Sequence, residues 1–151
     1  MGSNYPELNF FTHDAGHLWY TLFGFKGDPH TAPPHLLSNV LVFIGMYMIF
    51  SAWKALHNAQ KNHTMVTTGL YAHVRHPQYV AFIMIMFAFL LQWPTLLTIL
   101  MFPVLVFMYV RLARQEELDS IAVFGEQYIW YAEETPAFIP RIKRMKKVEH
   151  S

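Results

Sequence analysis

No acidic residue occurs between Asp28 and Glu116, and within 55–110 the only permanent charges are Lys61 and Arg75. A chain folding in water needs a solvated charged surface along such a stretch, and this one has none to offer. Only 14% of the 151 residues are charged and 54% are hydrophobic, against roughly 25% charged in an ordinary soluble domain. The pattern therefore predicts an integral membrane protein, and the length predicts a single domain over 1–151.

Hydropathy and breakers divide the chain. Residues 1–35 are mixed and rich in aromatics, histidine, glycine and proline, and predict an interfacial segment with a short helix near 15–23. Residues 36–53 carry no formal charge and end at Trp53-Lys54, an interfacial anchor, so they predict a membrane helix. A polar connector from 55 to 75 follows, with His57, His63 and His73. Pro77 favours a helix start, because its fixed φ and missing N–H suit the first turn. Residues 79–93 and 95–112 are apolar and broken at Trp93-Pro94. A continuous helix over both would run about 50 Å, against about 30 Å of hydrocarbon, so a helical hairpin is expected. Beyond Arg111 apolar residues recur at helical spacing among acids, with Gly125 as an interruption and Pro136 and Pro140 as a close. The predicted fold is all-α: about three membrane helices including the hairpin, plus a C-terminal amphipathic helix.

Lys and Arg set the orientation. The Trp93 turn has none, whereas the connector and the tail Arg141-Ile142-Lys143-Arg144-Met145-Lys146-Lys147 hold most of them. The connector and C-terminus should share the cytoplasmic side, the tail meeting an anionic lipid face. No basic segment followed by an apolar one opens the chain, so no signal peptide is expected. The absence of cysteine excludes disulfides, thiolate zinc sites and cysteine nucleophiles. A net charge of +1 gives no sign of nucleic-acid binding.

Chemistry concentrates in two polar stretches beside membrane-grade sequence: His63-Thr64-Met65-Val66-Thr67-Thr68-Gly69-Leu70-Tyr71 and Arg75-His76-Pro77-Gln78-Tyr79. Polar groups so placed are costly unless partnered, which marks them as candidate site residues. Arg75 also reads as a cation snorkelling from a helix start to the interface. Tyr71 and Tyr79 offer π faces to a cation. The N–H groups opening the helix at Pro77 suit a carboxylate, and Glu116 suits hydroxyl or ammonium donors. There is no GxGxxG fingerprint, which disfavours a Rossmann-type nucleotide site.

Taken together, HTMVTTGLYAHVRHPQY, a hydrophobic hairpin, EE-x6-FGEQY-x2-Y and a final P-x3-P resemble the isoprenylcysteine carboxyl methyltransferase family over 60–141. The resemblance implies a membrane methyltransferase, in a bacterial inner membrane, that uses S-adenosylmethionine on a hydrophobic or lipid-associated acceptor, with a carboxylate favoured and an amine or thiol as alternatives. Carried over by position, it implies cofactor contacts at Gln60, His63, Thr64, Met65, Val66, Tyr71, His76, Pro77, Gln78, Tyr79 and Glu116. The family places an acceptor-facing arginine one turn before that glutamate. Leu112 stands there in this chain, so Arg111 and Arg114 beside it are the candidates for orienting the acceptor. A protonated amine or thiol would need a base, for which His76 or Glu117 is nearest.

Two other classes stay open from sequence. His13-x3-His17, with His30 and His35, has helical metal-ligand spacing and suits a membrane metal- or haem-binding protein. A nicotinamide-dependent membrane reductase would also suit a related helical region.

Overall fold

The computed structural model describes residues 33–141. The helix expected near 15–23, the histidines His13, His17 and His30, and the tail beyond Arg141 lie outside the described residues. Helix α1 spans Pro33–Lys61, followed by a short 3₁₀ turn over Gly69–Ala72; α2 spans Pro77–Gln92, α3 Leu96–Phe124 and α4 Glu126–Glu134. Among the described residues there is no strand, as the all-α expectation requires.

Helix α1 and α3 are each 29 residues long and apolar enough to cross a bilayer. At 1.5 Å per residue each runs about 43 Å, beyond the roughly 30 Å of hydrocarbon. Their outer faces are apolar and exposed, with Phe43 76%, Tyr47 71% and Phe107 67% accessible. Such surface is the norm for a chain solvated by lipid and a liability for one solvated by water.

The first membrane helix does not end at Trp53. It continues to Lys61, so the connector is shorter than expected. The added segment, Lys54-Ala55-Leu56-His57-Asn58-Ala59-Gln60-Lys61, holds no glycine or proline and is dominated by good helix formers. It also prolongs a buried seam: Ser38, Gly45, Ala52 and Ala59, each seven residues apart, are the buried positions of α1. Helix α2 answers with buried Ala81 and Ala88, also seven apart. Small residues on both sides let the backbones approach, which is how helices associate where lipid tails compete for apolar contacts. Gly45 is the tightest point: a Cβ there would lie 2.5 Å from Ile85 Cγ1 and 3.2 Å from the Ala81 carbonyl oxygen.

Pro77 occupies the first turn of α2 and is fully buried. The hairpin turns at Trp93-Pro94, and α3 opens with a reciprocal cap in which Thr95 Oγ1 accepts from the Thr98 N–H at 3.2 Å and the Thr95 N–H donates to Thr98 Oγ1 at 3.0 Å. The membrane part of α3 runs without a break into the amphipathic part, to Phe124. Gly125, at φ 60° and ψ −131°, then redirects the chain, a conformation that side-chain-bearing residues rarely take. Helix α4 folds back, and the chain leaves it through Thr135.

Candidate functional site

The polar stretches meet where α1 ends, α2 begins and α3 approaches α4. They surround a cavity of about 420 Å³, inside the range of about 300–1,000 Å³ usual for small-molecule sites. The end of α1 contributes Leu56, Ala59 and Gln60, and the connector Thr64, Met65, Val66, Tyr71, Arg75 and His76. Gln78 and Tyr79 come from the first turn of α2, Glu116, Asp119, Ser120 and Phe124 from α3, and Tyr128 and Tyr131 from α4.

The end of α1 sets the first wall. The Thr64 N–H donates to the Ala59 carbonyl at 2.9 Å and the His63 N–H to the Gln60 carbonyl at 3.2 Å, the paired bonds of a Schellman motif. His63 fills the left-handed position, φ 53°, which glycine usually takes. Its role here is to turn the chain; the side chain is exposed and does not line the cavity.

The opposite wall is a network around His76, a side chain only 6% exposed. Glu117 Oε1 accepts from His76 Nε2 at 2.9 Å and from Arg75 Nε at 2.9 Å. The second Arg75 contact to that oxygen, through Nη2, is also 2.9 Å. Arg75 Nη1 donates to the carbonyls of Ala132 at 2.6 Å and Thr135 at 3.2 Å, the last turn of α4, where a cation also meets the negative end of the helix. Tyr79 Oη donates to Glu116 Oε1 at 2.5 Å, and Glu116 Oε2 lies 3.9 Å from His76 Nδ1. The Tyr79 ring stacks on His76 at 5.8 Å and on Tyr109 at 5.4 Å between centroids.

The floor is aromatic. Tyr131 Oη donates to the Tyr71 carbonyl, joining α4 to the 3₁₀ turn. Burial, reinforced by the nearby Glu116 charge, pushes the Tyr71 phenol up to about 12. Burial likewise raises Tyr131, with Tyr128 and Tyr71 adding to the shift. Tyr128 is raised by burial and by Glu117, partly offset by Arg75. These phenols are neutral donors at physiological pH. The cavity thus combines neutral aromatic faces with carboxylates: Glu117 is compensated by Arg75, whereas Asp119 has no ion pair among the described residues.

Of the residues singled out in the sequence, Gln60, Thr64, Met65, Val66, Tyr71, His76, Gln78, Tyr79 and Glu116 line the cavity. His63 and Pro77 do not; both shape backbone turns at its edge. Arg111 and Arg114 are exposed and outside the lining. At about 100° per residue they sit about 140° and 160° around α3 from Glu116, so the helical phase turns them away. Arg75, which the sequence marks both as a candidate site residue and as an interfacial anchor, also lines the cavity, as do Asp119, Ser120, Tyr128 and Tyr131, to which the sequence assigns no site role. Asp119 and Ser120 were legible as the i+3 and i+4 neighbours of Glu116, which share its helix face. Among the described residues no cluster of three or more His, Cys, Asp or Glu side chains is arranged to hold a metal ion.

The family model for the isoprenylcysteine carboxyl methyltransferase (ICMT) family matches residues 32–121. A protein of Cupriavidus metallidurans named cobalt-zinc-cadmium resistance protein CzcN is 31% identical over 80% of this chain and 57% of its own length. The protein-S-isoprenylcysteine O-methyltransferases of Schizosaccharomyces pombe and Homo sapiens are 31% and 32% identical over 54% and 56% of this chain, and 35% and 30% of their own lengths. The chain therefore spans about half of the first relative and about a third of the others. No solved structure matches it. With more than half of its residues under the family model, and with the motif stretches gathered around one cavity at the end of its membrane helices, the chain belongs to the isoprenylcysteine carboxyl methyltransferase family.

Proposed function

We propose that this protein is a membrane-embedded methyltransferase that binds S-adenosylmethionine in the cavity described above and methylates a hydrophobic or lipid-associated acceptor. The observation that carries the reading is the pairing of aromatic faces with carboxylates in one cavity of about 420 Å³, built from the motifs that relate the chain to its family. The donor set fits the group. A sulfonium carries positive charge, an adenine offers a flat apolar face, and an amino-acid tail brings an ammonium and a carboxylate. Tyr71, Tyr128 and Phe124 supply aromatic surface for the first two. Glu116, held by the Tyr79 hydroxyl, and Asp119 supply acceptors for ammonium or ribose hydroxyls. Gln60 and Gln78 add amide donors and acceptors from two further walls, and the first turn of α2 presents backbone N–H groups to a carboxylate.

The bound cofactor would supply an activated methyl group for in-line displacement, and the residues contribute mainly position and charge. A carboxylate acceptor, with pKa near ~4, is ionised at neutral pH and needs no base. This is the chemistry named in the O-methyltransferase relatives. An amine or thiol reaches the same geometry only after losing a proton. Arg111 and Arg114, on the far side of α3, are given no part in holding the acceptor. Residues 60–141 form the donor-binding region within a single domain, 36–53 lie in the bilayer, and the cavity opens on the cytoplasmic side of a bacterial inner membrane, the side that holds most of the Lys and Arg residues.

Calorimetric titration of S-adenosylmethionine and S-adenosylhomocysteine into detergent-solubilised protein tests the reading. Binding is expected, and His76→Ala and Glu116→Ala should each weaken it at least tenfold, about 1.4 kcal/mol. Folded protein that binds neither molecule sinks the proposal, and NADPH binding in their place would establish the reductase class instead.

A further inference from the structure

Arg75 lines the cavity, yet each of its three guanidinium nitrogens is already engaged by the protein. Its Nε and Nη2 are on Glu117 Oε1, and its Nη1 is on the carbonyls of Ala132 and Thr135. The side chain is 15% exposed. Its backbone continues the same pattern: the Arg75 N–H donates to the Pro136 carbonyl at 2.9 Å, and the His76 N–H to the Ala137 carbonyl at 3.1 Å. The strand of chain leaving α4 is therefore strapped against the start of α2, and it brings the Phe138 ring to 5.6 Å from the His76 imidazole.

Every group packed on His76 constrains it. Tyr79 and Phe138 hold its ring, and the Arg75–Glu117 pair holds one nitrogen. Glu117, ion-paired to Arg75, is an acceptor only, so an imidazole that carries a single proton and bonds to it holds that proton on Nε2. That leaves Nδ1 as a lone-pair acceptor, 3.9 Å from Glu116 Oε2. At that separation the two do not bond to each other, and a ligand N–H or O–H placed between them meets two acceptors.

We infer that Arg75 is a positioning residue that acts through Glu117 to hold His76 with Nε2 protonated and Nδ1 free to accept from the bound methyl donor. The role rests on the donor-site reading, whereas the tautomer does not. The arrangement has the logic of a base oriented by a third group, used here for binding geometry. Lysine cannot replace it, because one ammonium cannot reach Glu117 and the end of α4 together in a planar fork.

The test uses full-length protein labelled with ¹⁵N-histidine in micelles, with His76 assigned by His76→Asn. At a pH where His76 is neutral, its ring signals should show a protonated Nε2 and a bare Nδ1. Glu117→Gln, which keeps the shape and removes the charge, should give a mixture of tautomers and weaken S-adenosylmethionine binding about tenfold, with the melting temperature within a few degrees of the parent. Arg75→Lys should do the same, and serves where Arg75→Ala fails to fold. A wild-type His76 protonated on Nδ1, or a Glu117→Gln protein with unchanged tautomer and affinity, overturns the inference. A wild-type protein that binds no donor but shows the Nε2–H tautomer, lost in Glu117→Gln, supports the positioning role and removes the donor reading.

Discussion

Replacing Gly45 by alanine pits two opposed effects against each other at the narrowest point between α1 and α2. Alanine in a helix interior is favoured over glycine by about 1 kcal/mol. The new methyl, however, would stand 2.5 Å from Ile85 Cγ1, 3.0 Å from Ile85 Cδ1 and 3.2 Å from the Ala81 carbonyl oxygen. Carbon pairs are at rest near 3.5–4.0 Å, so the overlap on Ile85 is about 1 Å. Ile85 is β-branched and stiff at χ1, and the Ala81 carbonyl belongs to the α2 backbone, so relief requires the helices to part. Overpacking of this size costs about 1–3 kcal/mol, which leaves a net destabilisation of about 1 kcal/mol. The expected result in SDS-titrated mixed micelles is a lower unfolding midpoint for Gly45→Ala. Ile85→Ala should be less harmful in the Gly45→Ala background than alone, with a coupling of at least about 1 kcal/mol. Separation of α1 from α2 also widens the cavity that the two helices wall, so donor affinity should fall with stability. A Gly45→Ala protein stabilised by the full helix-propensity gain, with no coupling to Ile85, would refute the close approach.

His63→Gly should bind donor as the parent does and be slightly more stable, since a non-glycine residue in the left-handed region costs about 1–2 kcal/mol and glycine gives back part of that as unfolded-state entropy; isothermal titration and unfolding together check it, and a tenfold loss of donor affinity would show that the imidazole itself reaches the ligand. Alkaline pH gives a further expectation. The Tyr71 phenol is raised above its ordinary value of 10.0, to about 12, so the folded state holds that proton more tightly. Its contribution is fully present below pH ~10 and is lost as pH climbs through ~12, an amount on the order of 2 kcal/mol. Tyr128 and Tyr131 shift the same way, so unfolding midpoints should fall over this window, and less steeply in Tyr71→Phe; equal slopes for the two proteins would contradict the assignment.

Elements marked by local chemistry were legible in the sequence. Pro77 starts α2, Trp93-Pro94 turns the hairpin and Gly125 breaks the amphipathic helix, because each rests on the conformational limits of one or two residues. The gathering of Thr64, Tyr71, His76 and Tyr79 with Glu116 was legible through the motif pattern. The end of α1 was not, since Ala55–Lys61 lacks a stop signal and the Schellman turn at His63 uses a residue that does not advertise itself as glycine would. Nor was the work of Arg75. Its partners Glu117, Ala132 and Thr135 lie 42 to 60 residues away, and a cation at the start of a membrane helix has an equally good local explanation in the interface. Arg111 and Arg114 show the converse: proximity to Glu116 in sequence is undone by helical phase.

Helix α1 has no joint between the part that lies in lipid and the part that walls the cavity. From Gly45, where it is pinned to α2, to Gln60 is 15 residues, about 22 Å of rigid rod. Buried Ser38, Gly45, Ala52 and Ala59 run along the helix, so the cavity wall at Gln60 and the apolar part of the helix are one stiff body, with no hinge at which motion of one could be taken up without the other.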